Sequence, residues 1–109
     1  MITVTLETIT PDEALKILDT KANYQKQRHL RPTHVDFLIS EMLKGNWQLT
    51  GETIKYGVNG ELLDGQHRLH ACARSKVPLK VFVARNVPED AFLAIDLGLK
   101  RSISDILKI

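Results

Sequence analysis

A small α+β domain, with a mixed β-sheet flanked by helices, is the fold this chain predicts. Three observations predict it. Stretches with an apolar residue at every second position are interspersed with stretches of helical three-to-four-residue spacing. Proline, glycine and threonine mark the boundaries between them. The length of 109 residues, 43% of them hydrophobic, suits one domain around one core. An α/β arrangement with a small mixed sheet is the neighbouring class.

Each element has its own signal. From Met1 to Glu7, Ile2, Val4 and Leu6 alternate with polar residues and predict a strand. Thr10-Pro11-Asp12-Glu13 then predicts a helix start, with Thr10 and Glu13 as a capping box and Pro11 at the first helical position. Leu15 and Leu18 are its expected buried face. Thr20 to Arg31 lacks a period and reads as a polar, basic loop. Thr33 and Asp36 repeat the capping-box spacing. Val35, Leu38, Ile39, Met42 and Leu43 follow helical spacing until Gly45.

Thr53 to Val58 reads as a strand with Ile54, Tyr56 and Val58 on one face. Asn59-Gly60 is a two-residue hairpin signal, and Glu61-Leu62-Leu63 is the short return strand. A helix from about Gln66 to Ser75 follows, with Leu69, Cys72 and Ala73 inward. After Pro78, Leu79 to Ala84 makes a strand. Pro88 opens a further helix through Leu97, closed by Gly98. Ser102 and Asp105 form a third capping box before Ile103, Ile106, Leu107 and Ile109. That last helix would have about two turns, short for an isolated helix. The domain is therefore expected to span 1–109 as the N-terminal part of a longer protein.

Composition removes several function classes. No stretch approaches the roughly 20 apolar residues of a membrane-spanning helix. Met1-Ile2-Thr3-Val4-Thr5 lacks the basic start of a signal peptide, so a cytoplasmic location, in a bacterium or a phage-infected host cell, is expected. The single cysteine, Cys72, cannot form an internal disulfide and reads as a small apolar residue on a buried helix face. Fifteen basic residues against thirteen acidic ones leave a net charge of +2, which alone does not indicate nucleic acid. Lys16, Lys21, Lys26, Arg28 and Arg31, with His29, nevertheless concentrate in one region. Lys26, Arg28 and Arg31 are the candidate contacts to a nucleic-acid backbone.

The chemistry centres on Asp64-Gly65-Gln66-His67-Arg68, where a strand meets a helix. Gly65 permits a sharp turn and a close ligand approach. The following amides and the helix dipole favour an anion. Arg68 can grip phosphate with two parallel hydrogen bonds, and His67 can donate a hydrogen bond or titrate near neutrality. Asp64 would repel a bare phosphate, so it points to a bridging Mg2+ or to a role in orienting Arg68 or His67. A plain helix cap at Asp64, with an exposed polar face of His67, Arg68 and His70, is the alternative. His29, His34 and His70 read as surface histidines. Trp47 reads as core or pocket wall.

Gly60-Glu-Leu-Leu-Asp-Gly-Gln-His-Arg-Leu69 resembles the signature of the ParB/sulfiredoxin superfamily, closest to the branch with a literal Asp-Gly-Gln-His-Arg motif in phage and mobile-element proteins. Gln27-Arg28, the helix from Val35 to Lys44, Gly45-Asn46-Trp47, Thr50-Gly51-Glu52, the hairpin and Asp96 to Arg101 fall in family order. The resemblance implies a ParB/sulfiredoxin-like fold and a nucleotide pocket for ATP or CTP with Mg2+. Relatives hold phosphates on Gly-Glu-Arg-Arg, Gly-Cys-His-Arg or Asp-Gly-His-His-Arg turns at this place. By position, Gly65, Gln66, His67 and Arg68 would cradle phosphates. Asp64 would serve the metal and, with His67, any catalysis. Thr50 and Gly51 would approach the base, and Arg28 would close over the ligand.

The departures narrow this. Gln66 stands where sulfiredoxins carry their cysteine, so sulfinic-acid reduction is not expected. Gln66 also replaces the glutamate of the ParB turn, and the chain lacks room for ParB's DNA-binding and dimerisation domains. The expected function is a nucleotide-binding module, with NTP hydrolysis as its reaction if it is an enzyme, linked to DNA transactions. The alternatives are a DNA-binding protein or nuclease, and a phage regulator that contacts a host protein or a second copy through its C-terminal helix.

Overall fold

A computed structural model of the protein describes residues 1–21, 30–49, 52–88 and 90. The elements run β1 (Thr3–Ile9), α1 (Pro11–Lys21), α2 (Pro32–Leu43), β2 (Thr53–Gly57), β3 (Leu62–Asp64), α3 (Gln66–Ser75) and β4 (Leu79–Val87). The class is α+β: four strands form one mixed sheet in the order β1-β4-β2-β3. β1 and β3 pair antiparallel to their neighbours, while β2 and β4 run parallel. A parallel pair needs a crossover, and α3 supplies it. α3 packs against both α1 and α2.

The core lies between these helices and one sheet face. Ile54 and Tyr56 of β2, Leu62 of β3 and Leu79, Val81 and Val83 of β4 meet Leu69, Ala71 and Cys72 of α3. Ala14, Val35 and Met42 close it from the other helices. Each buried large side chain contributes about 1.5–3 kcal/mol against leaving it in water.

The Thr10–Glu13 capping box forms as predicted: Thr10 N–H donates to Glu13 Oε1 at 3.0 Å, and Glu13 N–H donates to Thr10 Oγ1 at 3.2 Å. Hydrogen bonds from Thr10, its backbone N–H foremost, hold the Glu13 carboxyl below the usual range. Other expectations are corrected. α1 buries Ala14 and packs Ile17 and Leu18 against the core, whereas Leu15 is exposed. The helix runs on through Thr20 and Lys21, where a loop is predicted. α2 begins at Pro32 with Arg31 as its cap and no side-chain cap bond. Proline is well suited to the first turn and displaces the Thr33–Asp36 box. At its other end Gly45 N–H donates to Met42 O and Asn46 N–H to Glu41 O, with Gly45 at φ +72; this is a Schellman ending. Leu43 is exposed.

The hairpin is three residues long rather than two. Gly60 N–H donates to Gly57 O, and Gly57 N–H to Glu61 O. Only Gly60 takes a positive φ, +81, as in a type I turn closed by a glycine bulge. Val58 therefore leaves the strand and is exposed. β4 extends three residues beyond Ala84 because Thr3 pairs with Arg85 and Gly57 with Val87. The alternating residues Val4 and Leu6 do not face the helices. They pair with Ala84 and Phe82 on the outer face of the sheet and are 56% and 47% exposed. The helix predicted from Pro88 is described only at its start, where Asp90 is helical. The rest of it, the Ser102–Asp105 box and the terminal helix lie outside the described residues.

Cys72 is fully buried, with Sγ 3.2 Å from Val77 O and 3.5 Å from Ile9 O. Burial pushes its thiol up to about 11, so at pH 8 roughly one thiol in a thousand is the reactive thiolate. Labelling by a thiol-exchange reagent at pH 8 should therefore follow the rate of global opening and become rapid only in denaturant. Prompt labelling of the folded protein would overturn this placement.

Candidate functional site

β3 delivers the chain to the predicted turn with a change of register. Tyr56 pairs with Leu62, and Lys55 then pairs with Asp64, so one residue of β2 is matched by two of β3. The bulge turns Asp64 to Lys55's side of the sheet. There the Lys55 ammonium meets Asp64 Oδ2 at 3.2 Å. Asp64 thus has a cation partner in place of the predicted Arg68 or His67. It does not cap α3 either, because the cap residue is Gly65 and no side chain bonds there.

Gly65 has φ +114, a conformation side chains rarely adopt. A Cβ built on it would stand 2.4 Å from Ile54 Cδ1. The space left by the missing side chain is filled by the core residue beneath, so the glycine serves close packing of the α3 start on β2. This differs from the predicted ligand approach through that space.

α3 makes its first internal bond from Leu69 N–H to Gly65 O. The amides of Gln66, His67 and Arg68 thus lie outside the helix's own ladder. Arg68 Nη2 donates to Thr53 O at 3.2 Å. One of the five guanidinium N–H groups ties the side chain to β2 and fixes where the charge sits. His67 Nε2 accepts from the Arg31 N–H at 2.9 Å, and its ring lies edge-on to His34 with centroids 5.1 Å apart. An imidazole nitrogen that accepts carries no proton, so Nε2 is structural here and binds the start of α3 to the start of α2.

These elements enclose a cleft of about 380 Å3. Asp64, Gly65, His67 and Arg68 form one wall. His34, Phe37, Leu38 and Glu41 of α2 form another, and Asn46, Trp47, Gln48 and Glu52 complete it. Of the predicted site residues, then, four line one cavity. Gln66 is half-buried and does not line it, and Arg31 contributes its backbone to His67. Lys26, Arg28, Thr50 and Gly51 lie outside the described residues, as does His29. His34 is exposed, as expected of a surface histidine, yet it lines the cleft. His70 is half-buried, and burial lowers its pKa. Trp47 is both core and wall: it packs against the main core, lines the cleft and donates Nε1–H to Lys80 O at 3.1 Å.

The α2 wall is the part missed in the sequence. His34, Phe37, Leu38 and Glu41 sit at i, i+3, i+4 and i+7, a second helical face beside the buried stripe. Phe37, an aromatic off that stripe and 59% exposed, is the signal that could have revealed it.

The charge balance departs from a simple anion site. Among the described residues, three carboxylates, Glu41, Glu52 and Asp64, share the lining with one guanidinium, Arg68. A bare polyphosphate would meet net repulsion. Among the described residues, no three His, Cys, Asp or Glu side chains gather as a metal cage. A cavity of about 470 Å3 lies elsewhere, beside Glu7, Tyr56 and Arg85. Its arginine is already gripped by Glu7, with Nη2 to Oε1 at 3.1 Å, and stands 5.6 Å from the Tyr56 ring centre. Among the described residues, no helix is long and apolar enough to cross a membrane. No protein-family model, curated protein or solved structure matches the chain.

Replacing Gly65 with alanine should cost about 3 kcal/mol of stability, from the strained φ and the overlap with Ile54. Urea unfolding followed by circular dichroism measures it. A loss well under about 1 kcal/mol would show that the turn relaxes freely.

Proposed function

We propose that this chain is a ParB/sulfiredoxin-like module that binds a nucleoside triphosphate, ATP or CTP, with Mg2+ in the cleft beside the Asp64–Arg68 turn. The observation that carries this reading is the convergence of the start of α3, the anchored Arg68 and Asp64 on a single cavity. Its volume, about 380 Å3, lies within the range of small-molecule sites. The strand-glycine-helix turn that carries the family signature borders that cavity.

The lining fits an ion that arrives with the nucleotide better than a resident one. Mg2+ commonly takes one or two carboxylates and completes its shell with phosphate oxygens and water. Asp64 suits that role, and Lys55 beside it offsets part of the local negative charge. Bound in this way, the ion supplies charge neutralisation at the phosphates. Arg68 then orients the phosphates by its remaining donors. With His67 Nε2 committed to Arg31, Asp64 is the better placed group for orienting a water, should the nucleotide be hydrolysed. Gln66 at the sulfiredoxin cysteine position leaves sulfinic-acid reduction out of the reading. DNA association would depend on Lys26, Arg28 and Arg31 and would weaken steeply with salt.

A second reading, protein contact, has one observation in its favour. The outer sheet face presents Val4 and Leu6 to solvent, and exposed apolar patches often mark interaction surfaces.

Thermal denaturation with each of the four ribonucleoside triphosphates, with and without Mg2+, tests the first reading. ATP or CTP with Mg2+ should raise the midpoint by several degrees, since ligand at a hundredfold its Kd adds about 2.7 kcal/mol. Arg68→Lys keeps the charge but loses the fork, and affinity should fall about tenfold or more. No shift with any nucleotide would overturn the reading.

A further inference from the structure

We infer that Trp47 is the stacking surface for the base of the bound nucleotide, so that the cleft has a phosphate end at Gly65–Arg68 and a base end at residues 46–48; this rests on the nucleotide reading above. Two observations place the ends apart. His34, at the start of α2, is ring to ring with His67 of the turn, centroids 5.1 Å apart. Glu41, also in the lining, is seven residues further along the same helix, about 10 Å away at the standard rise. Trp47 follows the end of that helix. Its position is set by the Schellman ending through Gly45 and Asn46, and its indole is held by the bond to Lys80 O. Ribose and phosphates can bridge such a span.

The chemistry of that end suits a flat, partly polar ring. Trp47 backs on the core and borders the cleft. A ring fixed in this way loses little further freedom on binding. Phe37, a second aromatic in the lining, leaves 59% of its surface in solvent, an apolar area that a base would cover. Asn46 and Gln48 flank the indole in sequence and line the same cavity. Their amides can both donate and accept, as recognition of a base edge requires.

Trp47 is the single tryptophan of the chain, so its fluorescence reports on this end alone. Titration with ATP or CTP plus Mg2+ should quench it, whereas inorganic tripolyphosphate plus Mg2+ should bind without quenching. By calorimetry, Trp47→Ala should weaken nucleotide binding by roughly tenfold or more and leave tripolyphosphate affinity within about twofold. Trp47→Phe, which keeps a stacking face and spares the fold, should stay within about threefold of the parent for the nucleotide. Nucleotide binding with unchanged fluorescence and an unchanged Kd in Trp47→Ala would overturn the inference and leave the nucleotide reading standing. Should the alanine variant fail to fold, unquenched fluorescence of the parent on nucleotide binding overturns it. Absence of nucleotide binding to the parent protein removes both.

Discussion

The contact of Gly65 with Ile54 governs the geometry of everything around it. With no Cβ and φ at +114, the chain turns off β3 directly above a core side chain. α3 can therefore begin against β2 without a connecting loop. Its first turn comes close enough for Arg68 to reach Thr53 O and for His67 to reach Arg31 N–H. A side chain at Gly65 would push that turn outward, and both bonds would lengthen together. The cleft depends on a packing constraint before it depends on any charge.

Electrostatics then decide what the cleft can hold. Among the described residues, Arg68 is the guanidinium that shares the lining with Glu41, Glu52 and Asp64. At short range in a partly buried site such charges act with more force than in bulk water. The arrangement disfavours a free anion and favours an anion that brings a cation with it. Lys55 on the far side of Asp64 tempers the excess without entering the lining. The β3 bulge is what makes this possible: in an unbroken register Asp64 would pair with Ile54 instead of Lys55.

Local signals in the sequence were readable and relational ones were not. The Thr10–Glu13 box, the Gly45 stop and the span of α3 depend on residues within one turn of each other, and each forms where predicted. The start of α2 differs from the predicted Thr33–Asp36 box because Pro32 takes the first helical position. The alternation in β1 gave a strand but not its covered face. Which face meets the helices depends on pairing with β4, seventy or more residues away in sequence. The turn was legible as a site because glycine, histidine and arginine are compressed into it. The opposite wall was not, because α2 carries two faces at helical spacing and the stronger apolar stripe hides the other. Gly65 was legible as necessary for the wrong reason: a sequence does not disclose what fills the space a glycine leaves.

His67 holds two walls of the cleft together by a bond that its residue type did not foretell. Its Nε2 takes the backbone N–H at the cap of α2, a donor that a helix start otherwise leaves without an intrahelical partner. That bond joins the Asp64–Arg68 turn to the helix forming the facing wall, and the edge-on contact with His34 continues the same seam. α2 is in turn the element that carries Phe37 and Glu41 and ends at the segment bearing Trp47. Glutamine at this position could still accept the bond but could not supply the ring. Alanine would remove this bond and the ring contact while leaving the packing of α2 on α3 in place. The seam between the turn and the start of α2 thus includes a hydrogen bond accepted by a histidine whose residue type alone suggested acid–base work.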